Sequence, residues 1–323
     1  MSFFLDGSSF VRPLVLIYHS VPRRGNAGAF NGKSFEQHML LLKRNCTFIK
    51  PEAYASASGS LRRPAVLLTF DDGLRNNAEV VAPILRRLDV PAVFFVSSRH
   101  CIPGQHLWFT YLKMLRWHFP GSSVTLNGGS ISLAGARRER GIEELTARLL
   151  ALKPHPEAMY AAIASQLPRL EEFIPASVLE DECYGMTPEQ VHELGNDPLF
   201  TVGGHTVDHP YLTRCDSQEV FRQVWSNKSW LEHMIGRKCD LFAYPLGDFD
   251  SDVLEQCRHL EFRQAFATEW GGVRDGQFAI RRVGIYRGAT ALLRIKVRCG
   301  HWLPMQLIHT ARTFAGVLGC VTR

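Results

Sequence analysis

Val66-Leu67-Leu68-Thr69-Phe70-Asp71-Asp72-Gly73 is a run of apolar and β-branched residues that ends in two adjacent carboxylates and a glycine. A short apolar run bounded by a turn signal reads as a buried strand. The carboxylates then sit where the strand ends, at the mouth of a sheet. Neighbouring aspartates repel each other, and a buried strand end accommodates both only with a cation or a shared proton to settle the charge. Asp-Asp-Gly is also ordinary turn chemistry. The rest of the chain has to decide between a solvated turn and a site.

On the N-terminal side, Leu14-Val15-Leu16-Ile17 is another continuous apolar run, a buried first strand that ends in Tyr18-His19-Ser20-Val21. Ser34, with Gln37 three residues on, has the pattern of a capping box, and the helix it opens carries Met39, Leu40, Leu41 and Leu42. Phe48-Ile49 is expected to be a short strand. On the C-terminal side, the pattern predicts a helix over residues 76–88, with Pro83 placed to kink it, and then a buried strand over 90–96. Strand, helix and strand at this spacing form a βαβ unit, which implies a parallel sheet.

From 101 to 198 the rhythm breaks. Helices are expected over 107–119, 137–152 and 155–170, with a fourth opened by Thr187 and Gln190. A hairpin is expected over 124–133 around Asn127-Gly128-Gly129. We take 101–198 as a mostly helical insertion, not a separate domain. Alternation resumes with a strand at 200–204, a helix capped by Ser217, a strand at 240–245, a helix capped by Ser251, and strands at 264–268 and 280–286. Polar groups keep appearing just after strands, the end of an α/β sheet that carries sites. Residues 10–288 thus read as one α/β unit. The tail, 289–323, begins as a basic helix (Leu292, Leu293, Ile295, Lys296, Arg298) and continues through Trp302, Leu303, Leu307 and Ile308. It is expected to pack on the sheet; contact with a membrane surface is compatible but not expected.

Composition is that of a globular protein: 323 residues, 46% hydrophobic, 21% charged. No window is apolar for long enough to span a bilayer. The first twelve residues include Asp6 and lack a basic-then-apolar leader pattern, so a cytoplasmic location is expected. Eight scattered cysteines without a Cys-x-x-Cys pair fit reduced thiols better than a disulfide framework. The net charge of +6 is mild and its arginines are spread out, so no nucleic-acid partner is expected.

His205 and His209 would share one face of a helical turn, so both imidazoles could hold one ion. With one carboxylate of Asp71-Asp72 they make a two-histidine, one-carboxylate set that leaves room for water and substrate. His-x-x-x-His alone is a weak signal; with Asp-Asp-Gly after an earlier strand it is much stronger.

Thr69-Phe70-Asp71-Asp72-Gly73, His205-Thr206-Val207-Asp208-His209 and Phe242-Ala243-Tyr244-Pro245-Leu246-Gly247 resemble, in order, the first three motifs of the polysaccharide deacetylases, the NodB-homology or carbohydrate esterase 4 group. Tyr18-His19-Ser20-Val21 also resembles that family. The resemblance implies a distorted (β/α) barrel of about seven strands and hydrolysis of an N-acetyl group from a sugar. It implies that Asp72, His205 and His209 hold a divalent metal, that Asp71 is the general base, and that the Leu246 N–H helps hold the oxyanion. Zinc suits such ligands, and iron, cobalt or nickel would fit them too. Thr206 is a candidate hydrogen-bonding residue near the site.

Two departures matter. Many members have an arginine where Ala243 stands, and it orients the base. Arg281 or Arg282, at the start of Arg282-Val283-Gly284-Ile285, is placed to supply that charge from another strand, and Arg282 is the catalytic candidate of the two. The late Leu-x-His motif that supplies the general acid is matched in letters only by Leu307-Ile308-His309 in the tail; His19 is the other candidate. The expected partner is an N-acetylated sugar, nucleotide-linked, lipid-linked or a small glycoside. Trp108, Phe109, Tyr111 and Trp117 are candidates to stack on its rings, although their helical spacing favours core packing. Two alternatives remain open: a non-catalytic carbohydrate-binding or assembly protein on the same barrel, and hydrolysis of another carbon–nitrogen bond such as N-formyl.

Overall fold

The protein is described by a computed structural model covering residues 13–23, 30–57, 63–268 and 276–299. Strand β1 (Leu14–Tyr18) is buried along its whole length. Helix α1 (Gly32–Asn45) follows, then the short β2 (Thr47–Phe48) and β3 (Ala65–Phe70). β1 and β3 pair in parallel, with Leu16 opposite Leu68 and Tyr18 opposite Phe70, so both end at the same level. A π-helical turn, Asn77–Val81, leads into α2 (Ala82–Leu88), and β4 (Ala92–Val96) completes the βαβ unit. Pro83 does not kink a uniform helix as expected. The ladder widens in the turn just before the residue that has no N–H to donate.

Between β4 and the next strand of the sheet lie α3 (Trp108–His118), an antiparallel hairpin β5 (Ser123–Leu126) and β6 (Gly129–Ser132), α4 (Arg138–Leu150), α5 (Glu157–Gln166) and α6 (Ala176–Glu182). Asn127 and Gly128 both have left-handed backbones, as a tight hairpin turn requires. α5 is shorter than the expected 155–170, because Pro168 biases the residue before it to extended backbone. These elements bury a core of their own, including Leu112, Leu115, Leu145, Leu149, Met159 and Leu179. α7 (Pro188–Asn196) carries the expected Thr187–Gln190 capping box and sends Val191 and Leu194 into the core of the main sheet.

The alternation then resumes with β7 (Phe200–Gly204), α8 (Ser217–Ile235), β8 (Leu241–Ala243), α9 (Ser251–His259), β9 (Gln264–Phe266), β10 (Val283–Gly284) and α10 (Thr290–Cys299). The parallel sheet runs β10-β1-β3-β4-β7-β8-β9. Ile280 bridges to Phe266 of β9, while Val283 and Gly284 pair with β1, so one short segment touches both ends of the path. Val15, Leu67, Val93, Phe95, Leu241 and Phe266 face a shared interior. Their strand neighbours Leu14, Leu16, Val66, Leu68 and Phe94 face the surrounding helices. This is the distorted, seven-stranded barrel expected from the sequence.

Three helix caps sit one or a few residues earlier than expected. Asn31, not Ser34, caps α1: its Oδ1 accepts the Ser34 amide and the Ser34 Oγ accepts its amide in return. Asp216, not Ser217, caps α8, and Asp250, not Ser251, caps α9. An aspartate cap satisfies the orphan amides and also favours the positive end of the helix dipole, which a hydroxyl does not. α10 packs Leu293 and Val297 into the main core. The rest of the tail, including Trp302, Leu303, Leu307 and Ile308, lies outside the described residues. Among the described residues no helix is long and apolar enough to cross a membrane.

Candidate active site

The strands β1, β3, β7 and β8 end on one face, and the motif residues follow each end directly. Asp71 and Asp72 leave β3 and are both almost fully buried. Asp72 and Gly73 have positive φ, 76° and 72°, which turns the chain sharply out of the strand. A Cβ at Gly73 would lie 2.8 Å from Cγ1 of Val96, so only glycine follows the second aspartate without displacing β4.

The two carboxylates are treated differently by their surroundings. Arg282 grips Asp71 with both arms of its guanidinium: Nη1 donates to Oδ1 at 2.6 Å and Nη2 to Oδ2 at 2.8 Å. Its Nε donates to the Ala267 carbonyl, and its plane lies over the Phe95 ring. Arg282 is itself fully buried, whereas its neighbour Arg281 is exposed. Burial alone would raise the Asp71 carboxyl, but the Arg282 charge, with His205 beside it, holds it below the usual range. Burial likewise works against ionised Asp72, and there the imidazoles of His205 and His209 bring the carboxyl well below its usual range.

His205 and His209 do not lie on a helical turn. They sit on an irregular loop after β7 in which Thr206 and His209 have positive φ, 64° and 52°. A β-branched residue in that region is strained and needs support from its surroundings. Here the support is dense. The Thr206 Oγ1 accepts the His209 amide, and the Ser97 Oγ donates to the His205 carbonyl. The Asn227 Oδ1 accepts the His205 amide while its Nδ2 donates to the Val96 carbonyl. Asp208, between the histidines, accepts from Arg99, Arg222 and Gln223 and leaves its amide to the Gln223 Oε1. Trp108 donates its Nε1 to the His209 carbonyl, and Phe109 packs its ring 4.6 Å from that of His209.

Asp72, His205 and His209 form a compact, buried set of potential metal ligands. The Asp72 Oδ1 lies 3.5 Å from Nε2 of His205 and 3.4 Å from Nε2 of His209. Those separations are long for hydrogen bonds, and that Oδ1 has no hydrogen-bond partner among the described residues. Two ligands about 2.1 Å from a tetrahedral ion are about 3.4 Å apart. The spacing and the orphaned anionic oxygen therefore fit a divalent cation. His205 Nδ1 lies 2.7 Å from the Ala243 carbonyl, which fixes the ring and leaves Nε2 facing the set.

Leu246 follows β8 with φ 59°. The turn around it is closed by the Gly247 amide on Tyr244 and the Asp248 amide on Pro245, which leaves the Leu246 amide with no acceptor inside the turn. Its side chain packs on the core of the inserted elements. His19, at the end of β1, stacks on Tyr286. Its Nδ1 is buried, with no hydrogen-bond partner among the described residues. His309 lies outside the described residues. Trp108, Phe109 and Tyr111 are buried core, as their spacing suggested, and Trp117 is exposed.

Sequence reasoning missed Gln223, Asn227 and Ser97, and offered Phe109 as a sugar-stacking residue where the structure sets it against His209. Gln223 and Asn227 had a legible signal. They fall in the buried stripe of α8 with Val220, Val224 and Leu231, where a polar residue needs a partner.

A family profile described as polysaccharide deacetylase matches residues 58–116 and 159–265, a little over half of the chain. Asp71, Asp72, His205, His209 and Leu246 lie inside the matched stretches and Arg282 lies outside them. "Putative polysaccharide deacetylase YxkH" of Bacillus subtilis (strain 168) is 20% identical over 280 residues, 85% of this chain and 71% of that protein. Among solved structures, IcaB from Ammonifex degensii superposes with a TM-score of 0.57 at 19% identity, covering 90% of this chain and 98% of that one. The Streptococcus pyogenes deacetylase PplD in complex with acetate gives 0.53 at 16% identity, covering 88% and 98%. At these identities the structural likeness speaks to the fold.

Proposed function

The chain belongs to the polysaccharide deacetylase family, and from that premise we propose that it hydrolyses the N-acetyl group of an amino sugar within a glycan or glycan precursor. One observation carries this most. A buried, ionised Asp71, oriented by Arg282, stands beside an orphaned Asp72 oxygen and two imidazole nitrogens spaced for one cation.

Asp72, His205 and His209 would hold the ion, with zinc the best match to two imidazoles and a carboxylate. When bound, the ion supplies Lewis acidity for a substrate carbonyl and for water. Asp71 takes a proton from the attacking water as the new C–O bond forms. The Leu246 amide donates to the oxygen that becomes negative. His19 returns a proton to the departing nitrogen as the C–N bond breaks, so that acetate and a free amine leave. Arg282 serves as the positioning residue that Ala243 cannot be. It keeps Asp71 ionised and turned toward the reacting water, and being a planar fork it does so with two parallel bonds.

We further propose a cytoplasmic location. The cysteines at 46, 101, 183, 215, 239 and 257 all carry free thiols, which suits a reducing compartment. The test is acetate release from metal-loaded protein. The panel comprises N-acetylglucosamine oligosaccharides, lipid-linked and UDP-linked N-acetylamino sugars, and N-formyl analogues. Release that vanishes in Asp71→Asn and His205→Ala supports the assignment. Formate release without acetate release would move it to another amide, and bound metal with no product from any substrate would contradict it.

A further inference from the structure

A second concave surface lies away from the reacting groups. A pocket of about 580 Å³ opens between residues 153–157, which join α4 to α5, and the turn and first half of α8, residues 214–226. That volume is in the range of small-ligand sites. One wall is Phe221 and Trp225, one helical turn apart, with parallel rings (10° between planes, centroids 6.1 Å apart). Each is nearly half exposed, at 44% and 49%. Two stacked aromatics left open on a helix are costly unless something covers them.

The remaining lining decides what would cover them. Three cations (Lys153, Arg214, Arg222) are matched by three carboxylates (Glu157, Asp216, Glu219). Such a rim repels neither sign and selects neither, which argues against a phosphate, a nucleic acid or a polyanion. It instead holds both donors and acceptors, with Arg222 and Glu219 paired to each other, a rim that hydroxyls of a neutral ligand can bridge. His155 also lines the pocket; it is buried, and among the described residues neither of its ring nitrogens has a hydrogen-bond partner. Burial pushes its pKa down to about 4, so it is a neutral imidazole with one donor and one acceptor. A hydroxyl reaching that depth would satisfy one ring nitrogen and leave the other to a water.

We propose that this pocket is a second carbohydrate-binding position, in which a neutral sugar ring lies against Trp225 and Phe221 with its hydroxyls met by the mixed-charge rim. The apolar C–H face of a pyranose and the flat indole are complementary in shape and polarity. The pocket is also tied to the catalytic loop. Arg222 reaches from its edge to Asp208, between the two histidines, and Arg214 lies five residues beyond His209. A glycan held here is thereby anchored beside the loop that carries the metal ligands. The gain appears in KM for longer substrates rather than in the chemical step. This rests on the assignment of a glycan substrate made above.

The experiment is calorimetric titration of the full-length, metal-loaded protein with an N-acetylglucosamine hexasaccharide. Acetate release is measured on the same preparations for the mono- and hexasaccharide. Trp225→Ala and Phe221→Ala, both at half-exposed positions, are compared with wild type and with Asp71→Asn. The expected result is a fivefold or greater weakening of hexasaccharide binding in Trp225→Ala, and less in Phe221→Ala. KM for the hexasaccharide should rise in parallel, with kcat and the monosaccharide rate unchanged. Asp71→Asn should bind the hexasaccharide normally. Trp225-dependent binding without acetate release would uphold the pocket and count against N-deacetylation of this glycan, leaving the wider substrate panel to decide the deacetylase assignment. Acetate release with binding and KM indifferent to both aromatic substitutions would overturn the pocket alone. Absence of hexasaccharide binding to wild type would overturn it as well.

Discussion

The two sides of the site are held in different ways. The aspartate side depends on one residue: Asp71 is fixed by two short bonds from Arg282, more than two hundred residues away in sequence and buried with it. The histidine side is distributed, with Ser97, Thr206, Asn227, Gln223, Arg99 and Trp108 each holding one or two atoms of the loop. A general base has to keep its charge and its aim, and one bidentate cation supplies both. Two metal ligands on a strained loop have to keep their spacing, which no single bond can ensure. The aspartate side should therefore fail all at once, and the histidine side by degrees.

The contrast can be broken most sharply at the metal ligands. Asp72→Asn and His205→Ala should take acetate release to background and reduce bound metal, measured by elemental analysis after dialysis. Asp71→Asn should cost about 10²–10⁴-fold in kcat while leaving metal content unchanged. Arg282→Met, which strands a buried carboxylate, should cost about 3–5 kcal/mol of stability in urea unfolding and a large part of kcat. Arg281→Met should cost neither. On the other side, Gln223→Ala and Asn227→Ala should each weaken metal affinity by about 10–100-fold and keep measurable activity at saturating metal. If either single change abolished activity at saturating metal, the loop would not be distributed in its support.

The smallest expected effect separates stability from chemistry. His38 is buried, hydrogen-bonded to Tyr18 and to the Gly288 carbonyl, and desolvation pushes its pKa down to about 4. His155 is shifted similarly. Because the unfolded chain binds these protons first, stability is full above about pH 6.5 and falls as the pH drops toward 4. The carboxyls of Asp71 and Asp72, shifted below their usual range, contribute their own loss only at lower pH. Urea midpoints of wild type and His38→Gln at pH 7.5 and 5 should differ less from each other at pH 5.

Much of this was legible in the sequence, for identifiable reasons. Strand ends declare themselves when an apolar run meets carboxylates or histidines, so Asp71, Asp72, His205 and His209 stood out, whereas Leu246 was pointed to only by the family resemblance. Arg282 could be named only as one of two neighbours, because nothing local distinguishes an inward arginine from an outward one; the alternation of the strand decides it. The spacing of His205 and His209 suggested a helical face, but Thr206 and His209 adopt left-handed backbones that only tertiary support makes tolerable. The caps were displaced because Asn31, Asp216 and Asp250 stand next to or near serines that are acceptable caps themselves. Helix α6 lacked a clear period and was not expected.

The division of labour between the adjacent aspartates is the claim on which the rest depends, and metal content tests it most directly. Wild type, Asp71→Asn and Asp72→Asn would be purified in parallel, loaded with zinc, dialysed and measured for bound metal per chain. The expected result is one equivalent in wild type and in Asp71→Asn, and a clear loss in Asp72→Asn. Equal metal in all three proteins, or loss in Asp71→Asn with retention in Asp72→Asn, would contradict it.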